Sequence, residues 1–260
     1  MSNYIHGTGS EEQVRLSSLN KMTNDSFISF LNLSGNEKII DIGCGMGDLA
    51  SQIAAGYNEI SITGIEISDE QLNKIPQNIP NLRRIKGDAS DIPFEDNSFD
   101  LAYMRYLLEH VANPERVIRE SKRILKPDGR LYLQENNILC MQFYPSCDLF
   151  TSVWQKFSVL QEKLGGDALI GKKLFCLAKK TGFRNIQPSI EPEVHYFGSN
   201  TFFLWIENLI QNIIGAKALL IKNNLCKEEE VTLAMEELNN FRNNEYASTY
   251  FYWNRLIAYK

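Results

Sequence analysis

A glycine-rich turn stands early in the chain, between a short apolar run and a stretch with helical spacing. Residues 41–47 read DIGCGMG, which follows the pattern D-x-G-x-G-x-G. Glycines let a backbone approach a ligand closely, and the start of a helix directs unpaired N–H groups toward it. The pattern predicts a ligand site, although a plain tight turn between a strand and a helix would use the same residues.

Two further acidic residues follow the next apolar runs. Glu66 closes the run after the glycine-rich turn, and Asp88 follows the third run in Gly87-Asp88-Ala89. A carboxylate can accept two hydrogen bonds from ribose hydroxyls, or one from an exocyclic amine of adenine. Because ligands bind at the carboxyl ends of parallel strands, we expect Glu66 and Asp88 to lie at one site. The alternative is that Asp88 caps a loop, where aspartate is common.

The spacing of the glycines argues against a nicotinamide cofactor. The dinucleotide fingerprint G-x-G-x-x-G would place its third glycine at position 48, where this chain has Asp48. A nicotinamide-dependent oxidoreductase is therefore disfavoured.

Residues 39–135 as a whole resemble the class I S-adenosylmethionine-dependent methyltransferases. Four segments carry this resemblance in the family's order: IIDIGCGMGDLA, ITGIEIS, KGDASDIPFEDNSFDLAY and LLEHVANPERVIRESKRILKPDGRLYL. Three other segments resemble a bacterial subgroup that acts on small molecules: YIHGTGSEEQVRL, GGDALIGKKLFCLAKKTGF and WNRLIAY. The resemblance implies S-adenosylmethionine as the cofactor and a small molecule, including natural-product intermediates, as the methyl acceptor.

The resemblance also implies which residues hold the methionine end of the cofactor. Asp41 would lie near the ammonium, and Gly43 and Gly45 would let the backbone pass beneath the methionine moiety. The backbone carbonyl of Met104 or Arg105 would accept a hydrogen bond from the ammonium. A plainer interpretation of Asp41 is that it caps the turn.

The adenosine end is assigned in the same way. Glu66 would hold both ribose hydroxyls with Ile67 beside it, and Gln71 would pack near the adenine or the ribose. Asp88 would accept from the adenine amine, and the Ala89 N–H would face a ring nitrogen. Gln71 could equally be an exposed helical residue. A further cofactor-binding candidate, Tyr4, would fold over the ligand from the N-terminal arm.

Methyl transfer from a sulfonium is an in-line displacement, which needs alignment and exclusion of water more than a general base. A base is needed only when the nucleophile arrives protonated. The catalytic candidates are His110 in LLEHV and His195 in EVHYF, each with the alternative of a structural histidine. His6 is a weaker candidate in the arm, and Glu135 could bind a substrate amine or cap a loop. No metal site is expected.

Strands alternate with helices along the first half, which predicts an α/β fold with a parallel sheet covered on both faces. We expect a Rossmann-like class I methyltransferase fold with a seven-stranded, mostly parallel sheet and helical insertions on the substrate side. The predicted divisions are an arm and helix over the active site (1–35), an S-adenosylmethionine-binding core (36–135), and substrate-side helices with C-terminal strands that complete the same sheet (136–260). The predicted strands are 38–42, 60–67, 82–86, 99–104, 130–135, 183–190 and 247–259; the predicted helices are 11–34 with a possible break near 23–24, 48–57, 69–75, 114–125, 201–222, 227–243 and about two within 136–182.

The later half is rich in aromatic residues. Among them are Phe143, Trp154, His195 with its neighbours Tyr196 and Phe197, and Trp205. These could line a pocket for a flat acceptor, but ordinary core packing is the favoured interpretation. The apolar stretch 201–222 could be a lid, a dimer face or a buried helix.

Composition limits the partners. The 260 residues carry a formal net charge of −5 without a clustered basic face, so a nucleic-acid partner is not expected. The five cysteines are odd in number and lack C-x-x-C spacing, which favours free thiols in the cytoplasm. We expect no signal peptide, no membrane span, and a monomer or homodimer. A protein or RNA acceptor and a non-catalytic cofactor-binding protein remain alternatives.

Overall fold

The computed structural model describes the backbone of residues 10–260. Side chains are described for Arg15, Leu19, Asn20 and every residue from Met22 onward. The elements in chain order are α1 (Ser10–Leu31), β1 (Lys38–Ile42), α2 (Asp48–Gly56), β2 (Ser61–Glu66), α3 (Asp69–Leu72), β3 (Leu82–Lys86), β4 (Phe99–Arg105), α4 (Pro114–Ile124), β5 (Leu125–Glu135), β6 (Gln142–Tyr144), α5 (Asp148–Lys163), α6 (Leu174–Lys180), β7 (Arg184–Tyr196), α7 (Phe202–Lys222), α8 (Glu228–Arg242) and β8 (Ser248–Tyr259). Short 3₁₀ turns occur at Leu108–His110, Ile138–Cys140 and Ile170–Lys173.

The described chain divides into two compact units. The first contains residues up to Met22, Asn136–Leu169 and Ile190–Trp253; the second contains Thr23–Glu135, Ile170–Ser189 and Asn254–Lys260.

The second unit is built on strands in the order β3-β2-β1-β4-β5-β8. The first five are mutually parallel, whereas β8 runs antiparallel to β5. The strand order reverses its direction between β1 and β4, where open α/β sheets bind their ligands.

Alternating residues of the central strands enter two separate cores. Ile40 and Ile42 of β1 pack with Met104 and Val117 on one side of the sheet. Ile39 packs with Phe27, Leu101 and Tyr103 on the other side. Because a central parallel strand is buried on both faces, its sequence is apolar at nearly every position. Asp41 interrupts that rule.

The helix α4 has clear sequence determinants at both ends. Pro114 opens it, where the missing N–H costs nothing, and the side chain of Asn113 accepts a hydrogen bond from the Arg116 amide at 3.0 Å. Lys122 and Arg123 lie in the last turn, where cations favour the helix dipole. The polar face of this helix binds the loop that follows β3.

The first unit contains α5, α7 and α8 together with β6 and the adjoining parts of β7 and β8. Residues 142–144 of β6 pair antiparallel with residues 248–250 of β8. Phe150, Trp154 and Phe157 stack in sequence along α5, at centroid distances of 5.6 and 5.2 Å. These aromatic residues form core, which was the favoured interpretation of the sequence.

The helix α7 is long and apolar enough to cross a membrane, but half of its most apolar window is buried inside the protein. Residues such as Trp205, Leu209 and Ile213 are buried, as expected for a core helix.

The α/β fold with a mostly parallel sheet is confirmed, with eight strands in the described residues rather than seven. The additional strand is β6, whose three residues are too few to show a period. The helix α1 continues through Thr23 and Asn24, where the sequence suggested a break. The strand β5 begins at Leu125 and passes a register shift opposite Phe99, so the KPDG turn lies within its span.

Candidate functional site

The glycine-rich turn joins β1 to α2 through three left-handed residues. Gly43, Gly45 and Gly47 have φ values of 76°, 56° and 75°, a region that other residues enter at a cost. A Cβ on Gly43 would lie 2.7 Å from Leu107 Cδ1, so a side chain here would force the Leu107 side chain to move. The turn therefore requires glycine for its backbone and for its packing.

Glu66 ties this turn to the end of β2. Its Oε2 accepts a hydrogen bond from the Gly45 amide at 3.0 Å. Its Oε1 accepts from the amides of Ile67 at 2.9 Å and Ser68 at 3.0 Å. A carboxylate offers about four acceptor positions, so one position on Oε2 stays available for a hydroxyl. The sequence analysis did not foresee that Glu66 also organises the loop itself.

Asp88 lies at the end of β3 and is exposed. Its Oδ1 accepts hydrogen bonds from the Ser90 amide at 2.7 Å and the Ser90 hydroxyl at 2.8 Å. These two bonds, together with the charge of Arg116, lower the pKa of Asp88. Since both bonds use Oδ1, Oδ2 is available to a ligand. The capping and the ligand interpretations of Asp88 are thus compatible.

The neighbours of Glu66 and Asp88 have different surroundings. Ile67 is largely exposed (61%), while Ala89 packs against the core that contains Met104. The Gln71 side chain lies over the turn, because a Cβ on Gly45 would come within 3.3 Å of Gln71 Oε1. The structure therefore brings Gln71 to the glycine turn rather than leaving it on a free helix face.

Asp41 is a buried carboxyl between β1 and β4. The Tyr103 hydroxyl donates a hydrogen bond to Asp41 Oδ2 at 2.8 Å. Burial raises the pKa of Asp41 to about 7, against the opposing effects of Tyr103 and of the Arg105 charge. Burial likewise keeps the pKa of the Tyr103 hydroxyl well above its usual value, so Tyr103 remains a donor.

The end of β4 is shaped by an unusual backbone. Tyr106 has a φ of 58°, which is uncommon for a residue with a large side chain. The Arg105 side chain donates to Asn24 Oδ1 at 2.7 Å and lies over the Phe27 ring. Met104 is fully buried on the opposite face. Arg105 is thus bound through its side chain to α1, while its backbone stands at the carboxyl end of β4.

Glu135, at the end of β5, holds the segment after β4. Its Oε1 accepts hydrogen bonds from the amides of Leu107 at 3.0 Å and Leu108 at 2.8 Å. Its Oε2 is buried with no hydrogen-bond partner among the described residues. Burial and the nearby charge of Glu109 raise the pKa of Glu135 well above its ordinary value. Of the two interpretations of Glu135, the loop-capping one matches these contacts.

The two histidines occupy different units. His110 lies in the 3₁₀ turn after β4, half-buried, with Nε2 at 3.8 Å from Glu109 Oε1. His195 is buried on β7 in the first unit, where Nδ1 is 2.7 Å from Thr201 Oγ1 and the ring stacks on Trp205. Tyr4 and His6 fall outside the described residues.

The described residues contain no group of three or more metal-ligating side chains. The buried position of Cys44 raises the pKa of its thiol well above the usual value, which keeps it protonated. The polar groups described at this site in the second unit are carboxyls, backbone amides, the Tyr103 hydroxyl, the Arg105 guanidinium and His110.

Comparison with known proteins shows which family the segment containing these residues matches. Residues 40–133 match a family model described as "Methyltransferase domain". This segment is a methyltransferase domain. It contains the glycine turn, Glu66, Asp88 and the end of β4, which are the features that the sequence resemblance identified.

A curated relative of this domain is the 27-O-demethylrifamycin SV methyltransferase of Amycolatopsis mediterranei (strain S699), 32% identical over 142 residues. The match covers 50% of this chain and 50% of that protein, so the chain spans about half of its relative's length.

Solved structures show that the fold extends beyond the methyltransferase domain. The YcgJ protein of Bacillus subtilis has a TM-score of 0.60 at 17% identity, covering 92% of this chain and 98% of that one. The [4+2]-cyclase SpnF has a TM-score of 0.56 at 19% identity, covering 92% and 80%. These likenesses establish the Rossmann-like fold, and the cyclase illustrates that a fold does not by itself fix a reaction.

Proposed function

We propose that this protein is an S-adenosylmethionine-dependent methyltransferase that acts on a small molecule by in-line methyl transfer. The observation that supports it most is the contact between Glu66 and the Gly45 amide. That contact joins the loops after β1 and β2 into one cradle, within a methyltransferase domain. The relative named for a demethylated rifamycin favours a natural-product intermediate as the acceptor.

Three carboxyl groups of the site could accept hydrogen bonds from such a cofactor or pair with its charge. Glu66 Oε2 keeps an acceptor position for a ribose hydroxyl, and Asp88 Oδ2 faces no protein donor in the described structure. Among the described residues, Tyr103 donates a hydrogen bond to the buried carboxyl of Asp41, and burial raises the pKa of this carboxyl in spite of the Arg105 charge. A ligand with an ammonium group would add a cation that favours the ionised form.

Bound S-adenosylmethionine would supply the methyl group, already activated on a sulfonium. The residues of this chain then bind and orient. Asp41 would balance the ammonium, the Met104 or Arg105 carbonyl would accept a hydrogen bond from it, and Glu66 and Asp88 would hold the adenosine. These residues would thereby align the reacting groups, and alignment of that kind lowers the barrier by several kcal/mol.

A nucleophile that arrives protonated requires a base, and we assign that role to His110 or His195. His110 stands directly after β4, beside the segment held by Glu135. His195 lies in the first unit, with its Nε2 at 3.4 Å from Glu193 Oε2. Each histidine is replaced by asparagine and the pH dependence of turnover is measured. Only the substitution of the base should abolish the increase in turnover with rising pH.

The first experiment is a calorimetric titration with S-adenosylmethionine, S-adenosylhomocysteine and NAD. The proposal expects binding of both adenosyl compounds and no binding of NAD. In the variant Glu66→Gln the affinity should fall by about 1–3 kcal/mol, since the ribose loses a charged acceptor. The matched control is Glu59→Gln, an exposed residue before the start of the same strand. Binding of NAD alone, or equal affinity in both variants, would contradict the proposal.

Two alternatives are separated by following the methyl group. A labelled methyl transferred to protein or RNA from an extract, and not to any small acceptor, would favour a macromolecular substrate. Binding without turnover on any acceptor would favour a non-catalytic cofactor-binding protein. The net charge of −5 disfavours nucleic acid. We further propose a cytoplasmic monomer or homodimer without a membrane or nucleic-acid partner, which sedimentation and cell fractionation test.

A further inference from the structure

The helix α4 presents a polar stripe toward the loop that follows β3. Three charged residues, Arg116, Glu120 and Arg123, stand at spacings of four and three along α4, which places them on one face. All three bind loop residues between Ser90 and Asp96. We call this set the α4 stripe.

Arg123 uses all five of its N–H donors. Its Nε donates to Glu120 Oε1 at 3.0 Å, and Nη2 donates to Glu120 Oε2 and to the Ile92 carbonyl, both at 2.9 Å. Its Nη1 donates to the Phe94 carbonyl at 2.7 Å and to Asp96 Oδ1 at 2.9 Å. A guanidinium saturated in this way fixes its partners in one plane, which a lysine ammonium cannot do.

The other two members of the stripe bind the loop closer to Asp88. Glu120 Oε2 accepts a hydrogen bond from the Ile92 amide at 3.1 Å. Arg116 Nε donates to the Ser90 carbonyl at 2.9 Å. Residues 90, 92, 94 and 96 are therefore each bound by at least one stripe side chain.

The loop transmits this fixation to Asp88. The amide and the hydroxyl of Ser90 both donate to Asp88 Oδ1, and the Asp91 amide donates to the Asp88 carbonyl at 3.0 Å. With Oδ1 and the backbone held, the direction of Oδ2 is set by the loop, and the loop is set by the stripe.

From these contacts we infer that the α4 stripe is a positioning device that makes the loop of Asp88 selective for a base with an exocyclic amine. The inference rests on the proposed function, since it assumes that Asp88 faces the adenine of the cofactor. Arg123 is a positioning residue here, because it acts through the loop and touches no ligand in this scheme.

The test compares two ligands that differ at one group of the base. S-adenosylhomocysteine carries the 6-amino group, and S-inosylhomocysteine carries a carbonyl there, which meets Oδ2 of Asp88 as acceptor against acceptor. Calorimetric dissociation constants for both are measured on the full chain, on Arg123→Lys, and on Arg119→Lys. Arg119 is the matched control, because it lies on the same helix and pairs with Glu115 within it.

We expect the unaltered protein to prefer the adenosyl ligand by about tenfold or more, the scale of a hydrogen bond to a charged group. In Arg123→Lys the preference should fall to about threefold or less, while Arg119→Lys keeps it. Arg116→Lys, which loses only the bond to the Ser90 carbonyl, should give an intermediate preference and serves if Arg123→Lys does not fold.

The outcomes distinguish a failure of the proposed function from a failure of the positioning role. Failure of the unaltered protein to bind either ligand would overturn the proposed function. Binding with an undiminished preference in both Arg123→Lys and Arg116→Lys would overturn the positioning role alone. A loss of thermal stability with unchanged preference would also overturn it, since a purely structural contact predicts that pattern.

Discussion

The buried carboxyl of Asp41 leads to a prediction about pH. Burial raises its pKa to about 7, so the protonated form is favoured in the free protein at mildly acid pH. A ligand ammonium favours the ionised form. Binding therefore releases a proton, and affinity must rise as the pH rises through 7.

The size of this effect follows from the pKa. With a pKa of about 7, about one tenth of Asp41 is ionised at pH 6 and about three quarters at pH 7.5, so affinity should rise about eightfold. The window ends at about pH 7.5 because most of Asp41 is then ionised and the affinity levels off. Asp41→Asn removes the titrating group and should flatten the dependence while lowering affinity.

Substitution of Tyr103 tests the same reasoning by shifting the pKa of Asp41 without removing its carboxyl. Tyr103→Phe removes the hydrogen bond that lowers the pKa of Asp41, so the midpoint should move above 7. The matched control is Tyr132→Phe, a buried tyrosine of β5 whose hydroxyl accepts from Arg130 instead. Calorimetry with S-adenosylhomocysteine in buffers of different ionisation enthalpy measures both affinity and proton release. A flat affinity between pH 6 and 7.5 in the unaltered, folded protein would refute the reasoning.

Two further predictions concern stability, measured by urea unfolding. Gly43→Ala should lower the free energy of unfolding by about 1–3 kcal/mol, because φ is +76° and the added Cβ would lie 2.7 Å from Leu107 Cδ1. The control Gly56→Ala, with nothing within 4 Å of its Cβ, should be neutral or slightly stabilising. Equal losses of stability in the two variants would contradict this prediction. Glu135→Gln keeps an oxygen acceptor for the Leu107 and Leu108 amides and removes the cost of burying an acid with a raised pKa, so it should not destabilise the protein at neutral pH, whereas Glu135→Ala leaves both amides unpaired at a cost of about 2–4 kcal/mol. Stability of the unaltered protein should fall as the pH rises above the ordinary pKa of a glutamic acid, because the unfolded chain then loses a proton that the folded protein keeps on Glu135, and Glu135→Gln should lack that part of the fall.

The alternation of strands and helices was predictable because its signals are local. A buried strand followed by glycines and an acidic residue occupies about ten positions, and β1, α2 and β3 lie within a residue of their predicted bounds. The break predicted near Thr23 and Asn24 was wrong because tertiary contacts outweigh their weak helix propensity. Asn24 binds both Arg105 and Gln52 from within the helix.

Site residues could be predicted from the sequence only where a single acidic residue stands at the end of an apolar run. Asp41, Glu66 and Asp88 were proposed as ligand-binding residues from their places at strand ends, and the structure places them there, while their contacts with a ligand stay predictions. The hydroxyl of Tyr103 was missed, because its partner Asp41 is 62 residues away in sequence. The α4 stripe was also missed, although its charges at spacings of four and three were a readable signal of one polar helix face.

The place of Asp41 has a topological cause. The strand β1 has β2 on one side and β4 on the other, and the direction of strand succession changes between β1 and β4. The helices connecting the strands on either side of this point diverge to opposite faces, which leaves the carboxyl ends of β1 and β4 open to a ligand. A carboxyl at this point is buried in the sheet and would lie next to a ligand bound there, so its charge is desolvated and would respond to a cation. Tyr103, at the paired position of β4, donates a hydrogen bond to it. The pH dependence proposed for cofactor binding is in this sense a consequence of the strand order.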